Sequence, residues 1–357
     1  MRPLDALGWD PFFDRQVSDE ERARLTPARV VWEARERYRL SAGEAEWPAE
    51  LAGRVRHRAG SRADLPVVGD WVLADIRARE ARATIHRILN RRTRFSRGAA
   101  GRSTDEQIVA ANVDRVLLVT SFNRDFNARR IERYLALTWE SGAAPLIVVN
   151  KADLCDEPEA WTGELGPITQ GVPVLVTSAR RGDGIAELGE TLRAGGTTAL
   201  LGSSGVGKST LVNALVGGGV QETLPIRADD RGRHSTTARQ LFYLPPAGVL
   251  IDTPGMRELQ LWDADDGLGH AFADIERWAA SCRFRDCGHA GEPGCGVAAA
   301  VDRGDLPADR LDSYRRLQRE NDFVRSRQDE SVRAERTRKA KQLTKAARLH
   351  YKLRKRR

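Results

Sequence analysis

Four short polar motifs, each closing an apolar run, constrain this chain more than any other feature. In chain order they are Asn150-Lys151-Ala152-Asp153 after Leu146-Ile147-Val148-Val149 and Thr177-Ser178-Ala179 after Val174-Leu175-Val176. Then come Gly202-Ser203-Ser204-Gly205-Val206-Gly207-Lys208-Ser209 after Thr197-Thr198-Ala199-Leu200-Leu201, and Asp252-Thr253-Pro254-Gly255 after Val249-Leu250-Ile251. Short apolar runs bounded by turn residues read as buried strands. Val116 to Val119 reads as a further strand, Ala128 to Glu140 as a helix with Ile131 and Leu135 on one face, and Thr210 to Val216 as another helix. Strands alternating with helices imply a doubly wound, mostly parallel sheet. Ligands bind such sheets at the C-terminal ends of the strands, and every one of the four motifs sits there.

The residue types say what is bound. The third motif matches G-x-x-x-x-G-K-[ST] between a strand and a helix, so its glycines turn backbone N–H groups toward phosphate oxygens. Lys208 is expected on the β- and γ-phosphates and the Ser209 hydroxyl on Mg²⁺, with Thr210 next in the same turn and the helix N-terminus adding its positive dipole end. Asp153 can accept two hydrogen bonds from guanine N1–H and N2–H₂. Adenine offers no such pair, so an unpaired carboxylate would penalise it. Asn150 is expected on the O6/N7 edge of the purine, the Lys151 stem over its face, and a backbone N–H at Ser178–Ala179 near O6. Asp252 would hold Mg²⁺ through water and the Gly255 N–H would meet the γ-phosphate. Met256 stands where many GTPases carry the glutamine that orients water, so slow intrinsic turnover is expected. Between Lys208 and Asp252, Gly232-Arg233-His234-Ser235-Thr236-Thr237 occupies the place of the first switch. Thr236 or Thr237 is the candidate to complete the Mg²⁺ shell. His234 is either a water-positioning residue or a solvated loop histidine. In ordinary GTPases phosphate binding precedes base recognition along the chain; here the order is rotated.

Three of the four cysteines, Cys282, Cys287 and Cys295, fall within fourteen residues with His289 among them. Three thiolates and one imidazole make a closed tetrahedral zinc set with no position left for a substrate. The alternatives are buried free thiols, or one disulfide and a spare thiol. A nucleotide switch belongs in a reducing compartment, which disfavours the disulfide. Cys155, beside the base motif, reads as small core filling.

Charge is as unevenly placed as the cysteines. From Ser331 to Arg357 there are twelve Lys and Arg against one acid, Glu335, so the tail stands at +11 and the rest of a chain of total charge +8 stands at −3. A basic tail of this kind is the footprint of a polyanion such as RNA. An anionic membrane surface and a merely solvated end are the alternatives. No run approaches the length of a membrane span and the first residues lack a signal-type apolar segment, so a cytoplasmic protein is expected.

The 357 residues have room for several domains. Residues 1–29 read as an N-terminal extension with a few aromatics. Residues 30–107 carry short β-type runs, Val30-Val31-Trp32, Val67 to Ala74 and Thr84 to Leu89, of the kind that make a small barrel. Arginines are interleaved there, Arg54, Arg56 and Arg58, then Arg91, Arg92, Arg94 and Arg97 around Phe95, either as a nucleic-acid face or as ordinary surface charge. Residues 108–266 hold the alternating α/β pattern, 267–330 the cysteine cluster and a charged helical stretch from Pro307, and 331–357 the basic tail.

The rotated motif order, the Gly232–Thr237 and Asp252–Gly255 runs, Cys282-Arg283-Phe284-Arg285-Asp286-Cys287-Gly288-His289 and Glu292-Pro293-Gly294-Cys295 together make the chain similar to the circularly permuted, ribosome small subunit-dependent GTPases. That resemblance implies a multidomain α/β architecture: an N-terminal oligonucleotide-binding (OB) barrel, a circularly permuted P-loop GTPase domain and a C-terminal zinc-binding helical domain. It further implies GTP, GDP, Mg²⁺ and one structural Zn²⁺ as ligands. The small ribosomal subunit and its rRNA would be the partners of a monomeric protein, with a role in late subunit maturation and hydrolysis stimulated by the subunit. Met256 fits the family, whereas Ser235 stands where threonine is common. Two other classes remain open on residues alone: an RNA-binding zinc protein that uses GTP as a structural ligand, and a small-molecule kinase, for which no acceptor motif is visible.

Overall fold

The apolar runs before the motifs become strands of a single sheet. The computed structural model describes residues 4–34, 36–43, 45–98, 106–122, 126–193, 196–216, 239–243, 248–252 and 264–326. Its strands are β1 (Thr26–Ala34), β2 (Arg37–Ser41), β3 (Glu46–Leu51), β4 (Trp71–Arg77), β5 (Arg82–Ile88), β6 (Arg94–Gly98), β7 (Glu106–Ala111), β8 (Arg115–Ser121), β9 (Ala144–Asn150), β10 (Val174–Val176), β11 (Thr197–Leu201), β12 (Arg239–Tyr243) and β13 (Val249–Asp252). The main sheet runs β10-β9-β8-β11-β13-β12-β1-β2-β3-β5-β4, and β1 also pairs with β4.

That last pairing closes β1-β2-β3-β5-β4 into a five-stranded barrel. Side chains alternate across its strands, so Val30, Tyr38, Leu40, Val72, Ala74 and Ile85 fill the interior. Trp71, Leu73 and, past a bulge in β1, Val31 face outward into a second core shared with the rest of the chain. The stretch Val67 to Ala74 was expected as one strand, but the strand starts at Trp71. Val67 to Asp70 form a turn, because the buried Asp70 carboxylate accepts the Val67 N–H at 2.8 Å and is clamped by Arg91 through two bonds of 2.8 and 2.7 Å. Residues 4–22 lie against this barrel. The Trp9 ring packs edge-on to Trp71 at 4.8 Å, Phe13 is buried, and Asp10 caps the turn Pro11–Asp14.

Beyond the barrel, β10, β9, β8, β11 and β13 are all parallel, and β12 runs antiparallel between β13 and β1. Both faces of the parallel part are covered. Leu117, Val119, Leu146, Val148 and Leu250 point to the helices Ile185–Arg193 and Lys208–Val216. Val116, Leu118, Ile147, Val149, Ala199 and Ile251 point the other way, into the core that includes the helix Ala128–Glu140. Burial of large aliphatic side chains on both faces is worth about 1.5–3 kcal/mol each and explains why these strands read as unbroken apolar runs. Cys155 packs half-buried at the edge of this core, as its isolation in sequence implied.

The C-terminal module, residues 264–326, docks on the outer side of Ala128–Glu140. Its helices are Asp265–Ala271, Ala273–Ala279, Gly296–Asp302 and residues 308–326. The approach is close, since a Cβ on Gly267 would stand 2.1 Å from the Ala136 carbonyl oxygen. The Gly267 N–H instead donates to Glu140 at 2.9 Å.

Candidate nucleotide site and metal centre

The two base motifs and the phosphate loop meet at one side chain. Asn150 ends β9 and is 1% exposed. Its Nδ2 donates to the Val206 carbonyl at 3.0 Å, while its Oδ1 accepts from the Ala179 N–H at 3.0 Å and the Thr177 hydroxyl at 3.2 Å. One amide therefore braces all three segments. The second N–H of Nδ2 is the group left for the O6/N7 edge expected of this residue. Gly207 has φ +93°, and a Cβ there would lie 2.4 Å from Asn150 Nδ2, so only glycine lets the loop close on its brace.

Lys151 follows in the left-handed region (φ 65°), a costly conformation for a lysine that the surrounding bonds hold in place. The turn brings Lys151 Cε to 3.9 Å from where a Cβ on Gly207 would stand and sets Asp153 beside Ser178. The buried Ser178 hydroxyl donates to Asp153 at 2.6 Å, and this bond, more than the nearby Arg181 and Arg180, keeps the carboxyl below its ordinary range. Asp153 is thus held in place as an acceptor by the Ser178 hydroxyl. Ser178 is itself pinned, its N–H donating to the Asp183 carbonyl at 2.9 Å. In the sequence Thr177 stands out only as part of a motif. Its hydroxyl bond to Asn150 gives it a supporting role that no spacing rule discloses.

In the phosphate loop, Lys208 Nζ donates to the Gly202 and Ser203 carbonyls at 2.7 and 2.6 Å, folding its ammonium over the cradle of Ser203, Ser204, Gly205 and Val206. Ser209 and Thr210 lie exposed in the first turn of Lys208–Val216. Asp252 ends β13 beside the end of β11, since Ala199 pairs with Ile251. Three sequence motifs and Asp252, the first residue of the fourth, therefore lie at the C-terminal edge of one sheet. His234, Thr236, Thr237, Gly255 and Met256 lie outside the described residues, as does the tail 331–357.

The cysteine cluster is the other built site. The ligand atoms of Cys282, Cys287, His289 and Cys295 all lie within 4.8 Å of one another. A tetrahedral zinc with ordinary bond lengths places sulfurs about 3.8 Å apart and sulfur and nitrogen about 3.5 Å apart. Here Cys282 and Cys295 Sγ are 3.9 Å apart, and His289 Nδ1 lies 3.6 and 3.5 Å from them. The residues fit the ion. Backbone N–H groups of Gly296 and Ala298 point at the Cys282 and Cys295 sulfurs, both at 3.3 Å, as donors to thiolates do. Glu292 accepts from the Gly288 and Ala290 N–H groups at 2.9 and 2.6 Å and shapes the loop that presents His289.

Comparison with known proteins agrees with this geometry. The family model "RsgA GTPase" matches residues 88–262. A protein of Opitutus terrae named "Small ribosomal subunit biogenesis GTPase RsgA" is 46% identical over 346 residues, covering 94% of each chain. A protein of Syntrophotalea carbinolica with the same name is also 46% identical, covering 87% of each. Among solved structures, YjeQ from Thermotoga maritima superimposes with a TM-score of 0.62 at 28% identity, over 82% of this chain and 97% of that one. YloQ, described as a circularly permuted GTPase, gives a TM-score of 0.59 at 23% identity, over 86% and 96% of the two chains, a likeness of fold. The braced base and phosphate motifs in rotated order, on a chain so similar over its length, place it in the RsgA GTPase family: it is a circularly permuted GTPase that hydrolyses GTP.

Proposed function

We propose that this GTPase binds the small ribosomal subunit and its rRNA, assists late maturation of that subunit, and hydrolyses GTP to GDP and phosphate fastest when bound to it. The observation that carries the reading is the Asn150 brace, a rigid guanine and phosphate frame, in a chain whose extensive relatives are named for small-subunit biogenesis. No helix among the described residues is long and apolar enough to cross a membrane. A cytoplasmic, monomeric protein is part of the same proposal. The domain limits proposed from sequence, 1–29, 30–107, 108–266, 267–330 and 331–357, belong to the same reading.

The chain's own residues divide the work as follows. Asp153, Asn150, Lys151, Ser178 and Ala179 select and orient the guanine. Backbone N–H groups of Gly202 to Ser209, with Lys208, hold the β- and γ-phosphates, and Lys208 exchanges its carbonyl bonds for phosphate oxygens. Ser209 and Asp252 would hold Mg²⁺, which neutralises charge on the phosphates when bound. Thr236 or Thr237 would complete that shell, Gly255 would report the γ-phosphate, and His234 would align water in place of the glutamine that Met256 replaces. Cys282, Cys287, His289 and Cys295 would hold one structural Zn²⁺. The basic tail would meet RNA phosphates.

The reading is tested by GTP turnover of the full chain with and without purified small subunits, alongside the Asp153→Asn variant. Stimulation by the subunit is expected, and Asp153→Asn should move preference from GTP to xanthosine triphosphate, whose C2 carbonyl accepts where guanine donates. Equal turnover in both conditions would overturn the assignment to the subunit. Unchanged nucleotide preference would remove Asp153 from the base site.

A further inference from the structure

The parallel sheet and the barrel share a strand pairing at the nucleotide end of the molecule. β12 lies between β13 and β1, with Gln240 opposite both Asp252 and Trp32, and Arg239 opposite Glu33. Arg239 therefore sits one register position beyond the pair that contains Asp252, on the edge where the motifs converge. Its guanidinium donates to Glu33 at 3.1 Å and to the Ile108 carbonyl of β7 at 3.2 Å, and the two side chains are only 10% and 19% exposed. A largely desolvated ion pair holds its geometry far better than a surface pair, because losing either partner strands a charge. At this one point β1, β7 and β12 are fastened together, one register position from the pair in which β13 ends at Asp252.

We infer that Glu33 and Arg239 are positioning residues for GTP hydrolysis, fastening β12 to the barrel so that the Asp252 end of β13 is held in register for magnesium and responds to what the barrel binds. The magnesium part rests on the proposed role of Asp252, and the response rests on the proposed binding of the small subunit. The direction of coupling follows from topology. The β1–β12 ladder joins the barrel to the parallel sheet through main-chain bonds, and the next strand from β12 ends in Asp252. A shift of β1 on ligand binding displaces β12 as a unit, since paired strands move together more easily than they slip by one residue.

The test uses the full-length protein, Glu33→Gln, Arg239→Gln and Arg239→Lys, with melting temperature and GDP affinity measured for each. Basal turnover is titrated with Mg²⁺, and kcat and KM are measured with and without small subunits. Glu33→Gln and Arg239→Gln should need several-fold more Mg²⁺ for half-maximal basal turnover and lose about tenfold in subunit-stimulated kcat, with GDP affinity and KM for GTP little changed. Arg239→Lys, which keeps the charge, should recover most of the Mg²⁺ dependence. An unaltered Mg²⁺ requirement would overturn the inference whether or not the subunit stimulates the wild type. Losses that track melting temperature equally in basal and stimulated turnover would reduce the pair to a structural role and overturn it too. Absent stimulation in the wild type, with the Mg²⁺ shift present, would count against the subunit reading while supporting the pair.

Discussion

The GTPase sheet is joined to its two neighbours by opposite means. On the barrel side the joint is a main-chain ladder, β12 on β1, to which side chains are added: the buried Arg29 donates to the carbonyls of Leu7, Gly69 and Asn112 and to the Thr197 hydroxyl at the start of β11. On the zinc-module side the joint is side chain. Arg310, 3% exposed, meets Glu132 at 2.7 Å, pairs with both oxygens of Asp274, donates to the Ala271 carbonyl at 2.9 Å and lies over the Phe272 ring. Ser313 donates to the other Glu132 oxygen, and Arg133 meets Glu320 in a two-bond pair of 2.7 and 2.5 Å. A ladder transmits displacement and resists titration. An ion cluster holds firmly while complete and fails sharply when one member is removed.

The largest effect should come from the metal. Structural zinc in small modules contributes about 10–16 kcal/mol of apparent folding free energy at neutral pH, because ligands meet only in the folded state. One Zn²⁺ per chain is expected by elemental analysis. Strong chelation, or Cys287→Ser, should lower the melting temperature and expose the 282–295 loop to protease, while guanine preference, built on β9 and β10, stays. A metal-free preparation that melts like the untreated protein would refute the zinc assignment.

Next in size is the ion cluster. Arg310→Met leaves Glu132 and Asp274 without their shared cation and should cost about 3–5 kcal/mol in chemical denaturation. Adding Glu132→Gln should return part of that loss, since the orphaned charge rather than the missing contact dominates. Additive losses in the double variant would show that the cluster is not coupled.

Arg29→Met should cost less, about 3 kcal/mol, although Arg29 is as deeply buried. Its hydrogen-bond partners are neutral oxygens, so removal orphans acceptors and strands no carboxylate. Burial already holds its guanidinium down to about 10, partly offset by Asp114 and Asp70. A loss equal to that of Arg310→Met would mean that the two joints do not differ in the way their chemistry implies.

The two joints also mark where sequence reasoning stops. The strands before the motifs were legible because burial on both faces writes continuous runs such as Leu146–Val149, and the helix Ala128–Glu140 was legible from its period. The motifs named Asn150, Asp153, Lys208 and Cys282 because their chemistry demands local spacing. Arg29 and Thr197 are separated by 168 residues, and Arg310 and Glu132 by 178, so no window contains either pair. The Val67–Asp70 turn was hidden for the same reason, its cause being Arg91, 21 residues on. The extension has aromatics without period, and the packing of Trp9 on the distant Trp71 gives them their place.

The smallest predicted effect separates the joints by pH. Each contains one glutamate, partly buried at Glu33 and buried at Glu132, whose carboxyl is held above its ordinary value, chiefly by burial: Glu33, against the pull of Arg239, and Glu132, against Ser313 and Arg310. A carboxyl whose folded pKa exceeds its unfolded value binds more protons when folded. Its contribution to stability is therefore greatest at or below the unfolded value of 4.5 and declines as pH rises through the folded pKa. Glutamine mimics the protonated form, so the stability of the wild type minus that of Glu132→Gln should fall as pH rises from about 4.5 to neutrality, and likewise for Glu33→Gln. The response should be steeper for Glu132, whose partners are side chains able to lose their geometry, than for Glu33, which the β1–β12 ladder holds in place. Urea midpoints of the two variants across that range make the comparison. Equal slopes would mean that the ladder gives its ion pair no more protection than the helix joint gives its own.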